Sequence, residues 1–558
     1  MSMEYYSRII ADAVRDVYGL DVEPEVTRPE AQFGDVSSNV AMKLAGQLSK
    51  SPREIADALV ARLENSDMIQ SASVAGPGFI NLTLTDTALL EAVSVEAPKS
   101  LSGKRILVEY SDPNPFKPLH AGHLYTTLVG DTIARLIEHA GAETIRLNYG
   151  GDVGLHVARS MWAMVKWLDG ENPEKLNDIA PENRAAWMGE RYVEGTDAYE
   201  TDAAAKQEII DYNKRVYQLH ADNDHESPFA QIYWTCRQWS YEYFPELYRQ
   251  LQVTPFARFI PESEVTPLGI ATVREHIGTV YEKSNDSDAI IFPGEQYGLH
   301  TRVFFNSEGL PTYEAKDVGL SLTKWKDYNF DESIIITAAE QQQYMQVVIK
   351  SIEQFAPEPA HRTRHLTHGT VKLAGGVKMS SRRGNVLLAL DILATARGAA
   401  EAYGKRADDS VVLAAIKYSF AKARVGGDII YDPAESVALE GNSGPYLQYA
   451  HARACSILQK APDPAVQQAI ESLDADERLL VRKITEYGDV VQKSTRELMP
   501  HHICHYLYEL AQEFNRFYEK NRVLGHERQS TRLSLVTMYR DTLARGLELL
   551  GIDAPVKM

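Results

Sequence analysis

Apolar positions change their period along the chain, and each change predicts a different kind of structure. Tyr5, Ile9, Ala13 and Val17 recur at helical spacing. Ser51, Pro52 and Glu54 have the order of an N-cap, a first-turn proline and a capping-box glutamate. After the Gly76-Pro77-Gly78 turn, Ile80, Leu82 and Leu84 alternate with polar residues, as in a strand. Residues 1–98 therefore read as a small α+β domain ending at a linker, Ala97-Pro98-Lys99-Ser100. From 99 to 404, strand-like runs at 105–110, 144–149, 289–292, 302–305, 333–337 and 365–372 alternate with helical patterns. That alternation predicts βαβ units and a mostly parallel, doubly wound, Rossmann-like sheet. Residues from about 155 to 258 are almost wholly helical in pattern and rich in Trp and Tyr, an insertion between the halves of the sheet. From 405 to 558, strand character is confined to 428–431, and the helical patterns predict an all-α bundle.

The totals narrow the setting. With 558 residues the chain is long enough for roughly three or four domains. Its formal net charge of -19 argues against a non-specific nucleic-acid coat but permits a local basic groove. Cys236, Cys455 and Cys504 lie far apart with no CxxC pair, which predicts no structural zinc, no disulfide and a reducing, cytoplasmic setting. No apolar run approaches the roughly 18 residues of a membrane span, and the N-terminus has no apolar signal core. His501-His502-Ile503-Cys504-His505 has no partner pair elsewhere and reads as core and surface histidines rather than a metal site.

Candidate chemistry concentrates in two loops. Residues 111–123 leave the first strand of the parallel region and enter a helix, with His120, Gly122 and His123 at its mouth. A helix N-terminus beyond a strand's carboxyl end favours phosphate, and two imidazoles there can stabilise charge that develops on phosphoryl transfer. Alone, the loop reads equally as surface residues or a metal pair. The second loop is Val377-Lys378-Met379-Ser380-Ser381-Arg382-Arg383-Gly384-Asn385, preceded by Gly375-Gly376. Standing alone it is a solvated basic turn. Paired with the first loop across the switch point of a doubly wound sheet, it can close over the same triphosphate.

Together the two loops resemble the HIGH and KMSKS signatures of class I aminoacyl-tRNA synthetases. Ser381 stands where the family has its second lysine, and Arg382 or Arg383 is left to supply that charge. Val108-Glu109-Tyr110-Ser111-Asp112-Pro113-Asn114, Asn148-Tyr149-Gly150-Gly151-Asp152-Val153-Gly154 and 311–319 extend the resemblance to the arginyl family over nearly the whole chain. The resemblance implies ATP with Mg2+ as co-substrate, bound by Lys117, His120, Gly122, His123, Lys378, Met379, Ser380 and Ser381. Among these, His120, His123 and Lys378 would be catalytic. It implies an arginine site of Glu109, Asn114, His120, Tyr313 and Asp317, completed by Gln341 or Glu340. The glycines of 148–154 would let the backbone approach the ligand, and Asp152 is alternatively an N-cap. It implies tRNA(Arg) as partner, with Tyr446, Tyr449, Arg453 and Met558 around anticodon bases and Phe33 and Asn39 at the outer corner of the tRNA. Structural alternatives are an aromatic seam for Tyr446 and Tyr449, a buried Phe33 and a helix-capping Asp35. Monomer is the family's common state. Two rival functions are a nucleotidyltransferase that does not use tRNA and a catalytically silent tRNA-binding paralogue.

Overall fold

The computed structural model describes residues 3–93, 98–374, 387–402, 408–461, 470 and 472–558. The chain forms two compact units, Leu101–Ala438 and Met1–Ser100 joined with Leu439–Met558.

The N-terminal part of the second unit opens with α1 (Met3–Tyr18). Its buried face is Tyr6, Ile10, Ala13 and Val14, while Tyr5 and Val17 are exposed, so the helix is as expected but its core face is turned by one position. Strands β1 (Val26–Thr27), β2 (Val36–Ser38), β3 (Ile69–Ala75) and β4 (Phe79–Leu84) form an antiparallel sheet in the order β1-β2-β4-β3. Helices α2 (Val40–Leu48) and α3 (Pro52–Leu63) pack together beside the sheet, and α4 (Asp86–Val93) follows it. Ser51 and Glu54 form the expected reciprocal capping box on α3.

In the Leu101–Ala438 unit, β5 (Arg105–Glu109), α5 (Ala121–His139) and β6 (Glu143–Gly150) make the first crossover. Helices α6 (Leu155–Trp167), α7 (Arg184–Thr201), α8 (Ala203–Ala221) and α9 (Pro228–Gln250) form the expected insertion around Met161, Met164, Trp187, Tyr233 and Trp239. The chain returns through β7 (Arg258–Pro261), a strand not anticipated, and α10 (Glu262–Glu275). Next come β8 (Glu282–Lys283), β9 (Ile290–Phe292), β10 (Arg302–Phe305), α11 (Tyr313–Tyr328), β11 (Glu332–Ala338), α12 (Gln342–Glu353), α13 (Pro357–His361) and β12 (Thr363–His368). The central sheet has the order β12-β11-β5-β6-β7, and every pair in it is parallel. Its direction of growth reverses between β5 and β11, the switch point where ligands bind in such sheets.

Two expectations for this region need correction. Runs 289–292 and 302–305 do not join the parallel sheet; β9 pairs antiparallel with β8 and β10 in a separate sheet. The connection between them is too short for the helical crossover a parallel pair requires. The run 365–372 is two strands, because β12 ends at His368 and β13 (Val371–Leu373) leaves to pair in parallel with β14 (Ile429–Tyr431). Gly369 permits the break: a Cβ there would stand 2.5 Å from the Gly427 backbone.

The expected boundary at 404/405 lies outside the described residues. The elements on either side of it, α14 (Ala389–Ala402), α15 (Asp409–Ala421), β14 and α16 (Pro433–Ser436), all belong to the Leu101–Ala438 unit. The remaining helices, α17 (Gly444–Gln459), α18 (Ala475–Thr485), α19 (Tyr487–Glu497), α20 (His501–Lys520) and α21 (Gln529–Leu549), form a bundle packed with the N-terminal part. Buried Asp35 joins the two parts: it accepts from Leu84 N at 2.8 Å and from Arg478 Nη2 at 2.5 Å. Arg478 Nη1 also bonds Asp86 at 2.6 Å, and Arg28 pairs with Asp489 at 2.8 Å. Asp35 therefore ties the sheet to α18 rather than capping α2. No described helix is long and apolar enough to cross a membrane.

Candidate active site and nucleic-acid contacts

The strand β5 ends in a loop with three non-glycine residues of left-handed backbone, Ser111 (φ 76), Asp112 (φ 46) and Phe116 (φ 68). Such conformations persist where surrounding contacts hold them, and they cluster at functional sites. Here the contacts are specific. Ser111 Oγ bonds Tyr248 Oη and accepts from Thr127 Oγ1, both at 2.7 Å. Asp112 Oδ1 accepts from Tyr149 N at 2.8 Å, and Asn114 Oδ1 accepts from Gly151 N at 2.8 Å. The end of β6 thus meets the 112–114 loop, and Gly151 spends its N–H there rather than on a ligand. Asp152 is fully buried and accepts from Arg237 Nε, Ser263 N and Ser263 Oγ at 2.8, 2.8 and 2.7 Å. It fastens the insertion and α10 to β6; Gly154, not Asp152, is the N-cap of α6.

His120 and His123 form a capping box made of two imidazoles. His120 Nδ1 accepts from Gly122 N at 3.0 Å and His123 N at 3.4 Å, and His123 Nδ1 accepts from His120 N at 3.2 Å. The rings stack with centroids 3.7 Å apart. A Cβ on Gly122 would stand 2.8 Å from the His120 ring. Burial, then nearby Lys117 and His368, pushes His120 down to about 4. Burial and His120 hold His123 well below the usual histidine range. Both rings are therefore neutral at pH 7. With each Nδ1 accepting, each Nε2 carries the proton and is a hydrogen-bond donor. Burial lowers Lys117 to about 8.

A cavity of about 1000 Å³ opens at this loop, above the carboxyl ends of β5 and β11. Lys117, His120, Gly122 and His123 line it, as do Glu109, Asn114, Tyr313, Asp317, Glu340 and Gln341. The structure thus brings together the described residues expected to hold ATP and arginine. Lys378, Met379, Ser380, Ser381, Arg382 and Arg383 lie outside the described residues. The chain just beyond them does not: Ala121 N donates to Leu387 O at 2.7 Å, and Ala389 N donates to Leu119 O at 3.0 Å. The second loop therefore re-enters the fold bonded to the first.

At the acidic wall, Glu109 Oε2 accepts from Lys324 Nζ at 2.7 Å, and both side chains are buried. Asp317 accepts a hydrogen bond from the Tyr344 hydroxyl and is raised to about 7, chiefly by burial. Tyr313 is 53% exposed, and its hydroxyl lies 3.4 Å from His156 Nδ1. Glu262 pairs with buried Lys316 at 2.8 Å. Sequence reasoning assigned no role to Asp112, Lys316, Lys324, Glu262 or Tyr344. A signal for the lysines existed: both fall on α11 among Ala315, Val318, Gly319 and Leu320, and a buried lysine implies a buried carboxylate.

In the other unit, Tyr449 is 44% exposed on α17. Asn515 bridges its neighbours, donating to Tyr446 Oη at 2.9 Å and accepting from Arg453 at 3.3 Å. Arg453 lies over the Tyr518 ring at 4.7 Å. Tyr446 is half-buried and partly serves the seam, whereas Tyr449 stands free of it. The tail is strapped to α17 by Gln448 and His451, which bond the carbonyls of Asp553 and Pro555, and Met558 is exposed. Phe33 is 50% exposed rather than buried, and Asn39 donates to Glu25 at 3.3 Å. His502 and His505 pair with Glu497 and Glu509. Among the described residues no cluster of His, Cys, Asp or Glu could hold a metal.

Residues 85–432 match the family "tRNA synthetases class I (R), catalytic domain". Residues 4–84 match the "Arginyl tRNA synthetase N terminal domain", and 447–558 match the "DALR anticodon binding domain". The chain is 27% identical to an arginine–tRNA ligase of Porphyromonas gingivalis, with 98% of each chain covered. It is 29% identical to one of Thermobifida fusca, with 99% of each covered. In structure it is similar to the Thermus thermophilus arginyl-tRNA synthetase, with TM-score 0.79, 26% identity and 100% of both chains covered. The Plasmodium falciparum arginyl-tRNA synthetase shares the fold at TM-score 0.77 and 20% identity, over 99% of this chain and 98% of that one. These matches span a class I catalytic domain and an anticodon-binding domain, which sets aside both rival functions. The chain belongs to the class I tRNA synthetases of the arginine type, and its activity is that of an arginine–tRNA ligase.

Proposed function

We propose that the cavity binds Mg-ATP and L-arginine end to end and joins them as arginyl-adenylate. The arginine carboxylate attacks the α-phosphate and pyrophosphate leaves; a terminal ribose hydroxyl of tRNA(Arg) then takes the arginyl group. The observation that carries this reading is the cavity's two-ended chemistry. Neutral, donor-only His120 and His123 sit at a helix N-terminus at one end, and a buried carboxyl hydrogen-bonded by Tyr344 sits at the other.

At the phosphate end, Lys117, the Gly122 backbone and the two Nε2–H groups neutralise charge, and Lys378 and the residues after it close over the triphosphate from the second loop. Magnesium travels with the phosphates, whose oxygens are its ligands. At the arginine end, Asp317 pairs with the guanidinium. Glu109 offers Oε1, Asn114 its amide N–H groups, and Tyr313 and Gln341 the rim. Tyr449, Arg453, Tyr446 and Met558 contact anticodon bases, and Phe33 and Asn39 contact the tRNA corner. The three functional regions are 1–98, 99–404 and 405–558, and the enzyme acts as a cytoplasmic monomer. The test is Lys378→Ala, assayed by ATP–pyrophosphate exchange with tRNA present and by equilibrium binding of arginine. The exchange rate falls at least a hundredfold, by the measure of one lost charge-stabilising donor, while arginine affinity stays within about twofold. Exchange at the wild-type rate would overturn the reading of the second loop.

A further inference from the structure

The charges on the cavity wall do not balance. Glu109, Asp112, Glu262 and Asp317 all line it. Two of these carboxylates have lysines of their own from α11: Lys324 holds Glu109 at 2.7 Å and Lys316 holds Glu262 at 2.8 Å, each pair almost wholly buried. Asp112 and Asp317 form no ion pair with any described residue. The empty wall is thus short of two positive charges. Arginine brings two, the guanidinium and the α-ammonium. If Asp317 takes the guanidinium, as proposed above, one carboxylate and one cation remain.

We propose that Asp112 is the contact for the α-ammonium group of arginine and so a second specificity-determining carboxylate of the site. Its backbone geometry fits that task. Ser111 and Asp112 are consecutive left-handed residues, and the turn folds the Asp112 side chain back onto β6. There Oδ1 is fixed by Tyr149 N at 2.8 Å, which leaves Oδ2 for the cavity. The groups that face Asp112 are Glu109 from β5, and Lys324 and Asp317 from α11. Burial first, and then Glu109, raises its proton affinity well above the usual carboxylate range, as expected of a group that waits for a cation. A neutral or zwitterionic amino acid of similar size brings one cation at most and leaves one of the two carboxylates unpaired.

The proposal rests on the Asp317 reading, and a comparison of ligands separates the two. L-arginine, agmatine (arginine without its carboxylate) and 5-guanidinopentanoate (arginine without its α-amino group) are titrated into the full-length protein by calorimetry. Asp112→Asn keeps an oxygen for Tyr149 N but removes the charge. It weakens arginine and agmatine about tenfold or more and changes 5-guanidinopentanoate less than twofold. Equal loss for all three ligands, or loss for none, overturns the Asp112 assignment. Asp317→Asn weakens all three, since each carries a guanidinium; if it spares them, the Asp317 reading fails whichever way the Asp112 comparison falls. Should Asp112→Asn fail to fold, the wild-type protein serves. Calorimetry at pH 6.5 in two buffers of different ionisation enthalpy shows more protons released by arginine than by 5-guanidinopentanoate, and equal release overturns the proposal.

Discussion

Arginine should bind this protein less tightly as the solution is acidified through neutrality. The cause is Asp317. Burial in the cavity raises its carboxyl to about 7, against partial relief from the Tyr344 hydroxyl, while Glu109 and Glu262 push the same way as burial. The sign follows from what the ligand needs. A guanidinium pairs with the ionised carboxylate, so binding draws on the deprotonated fraction and is weakened by protons. For a group titrating near 7, that fraction falls from about nine-tenths at pH 8 to about one-tenth at pH 6. The Kd therefore rises roughly tenfold across the two units, or ~1.4 kcal/mol. Asp112 titrates in the same direction, so tenfold is a lower bound. The guanidinium stays charged throughout. His120 and His123 remain neutral over this range and contribute no slope. The assay is titration calorimetry of arginine in the absence of ATP at pH 6, 7 and 8, repeated with Asp317→Asn. That variant binds weakly and loses the Asp317 part of the slope. A wild-type Kd constant within twofold from pH 8 to pH 6, or tighter at pH 6, refutes the account of the acidic wall.

Two further outcomes follow from the packing. Lys324→Met leaves Glu109 buried without its ion-pair partner, and removing one member of such a pair costs about 3–5 kcal/mol; the denaturation midpoint falls accordingly, and an unchanged midpoint would mean that the pair contributes nothing. Arg453→Ala removes the side chain that links Asn515 to the Tyr518 ring beside exposed Tyr449. Its charging of limiting tRNA drops by the worth of about one stacked base, ~1–3 kcal/mol in kcat/KM, while pyrophosphate exchange at saturating tRNA is preserved. Wild-type kcat/KM for tRNA would remove Arg453 from the anticodon contacts.

The strand–loop–helix unit around His120 is legible in the sequence because everything in it is local: an apolar strand, a loop with two histidines and a long helix follow one another within about 35 residues. The order of the central strands is less local. The motif pair implies a switch point, but the pairing of β11 between β5 and β12 depends on contacts more than 200 positions apart. Short apolar runs such as 290–292 carry no mark of which sheet they will join, and the length of the connection, not the run, decided it. The face of α1 was misread because Tyr5 and Val17 are as apolar as Tyr6 and Val14, and only the packed neighbours distinguish them. In the site, residues that match a family motif were found, whereas those that balance charge were not. Lys324 and Glu109 stand 215 positions apart, and no pattern along the chain pairs them. Asp35 shows the same limit: its helix-capping reading was locally sound, and Arg478 overrode it from the far end of the chain.

The reciprocal cap of His120 and His123 also settles what the pair does with metal ions. Two imidazoles three residues apart at a helix start have the look of a chelate. A neutral imidazole has one lone pair to give, however, and each ring has already given it to a backbone N–H of its neighbour. For zinc or nickel to lodge here, two caps at the start of α5 would have to open. The helix thus masks its own histidines from soft cations and leaves two N–H groups for anions, so that a nucleotide meets the pair through its phosphate oxygens while its escorting cation stays on the nucleotide.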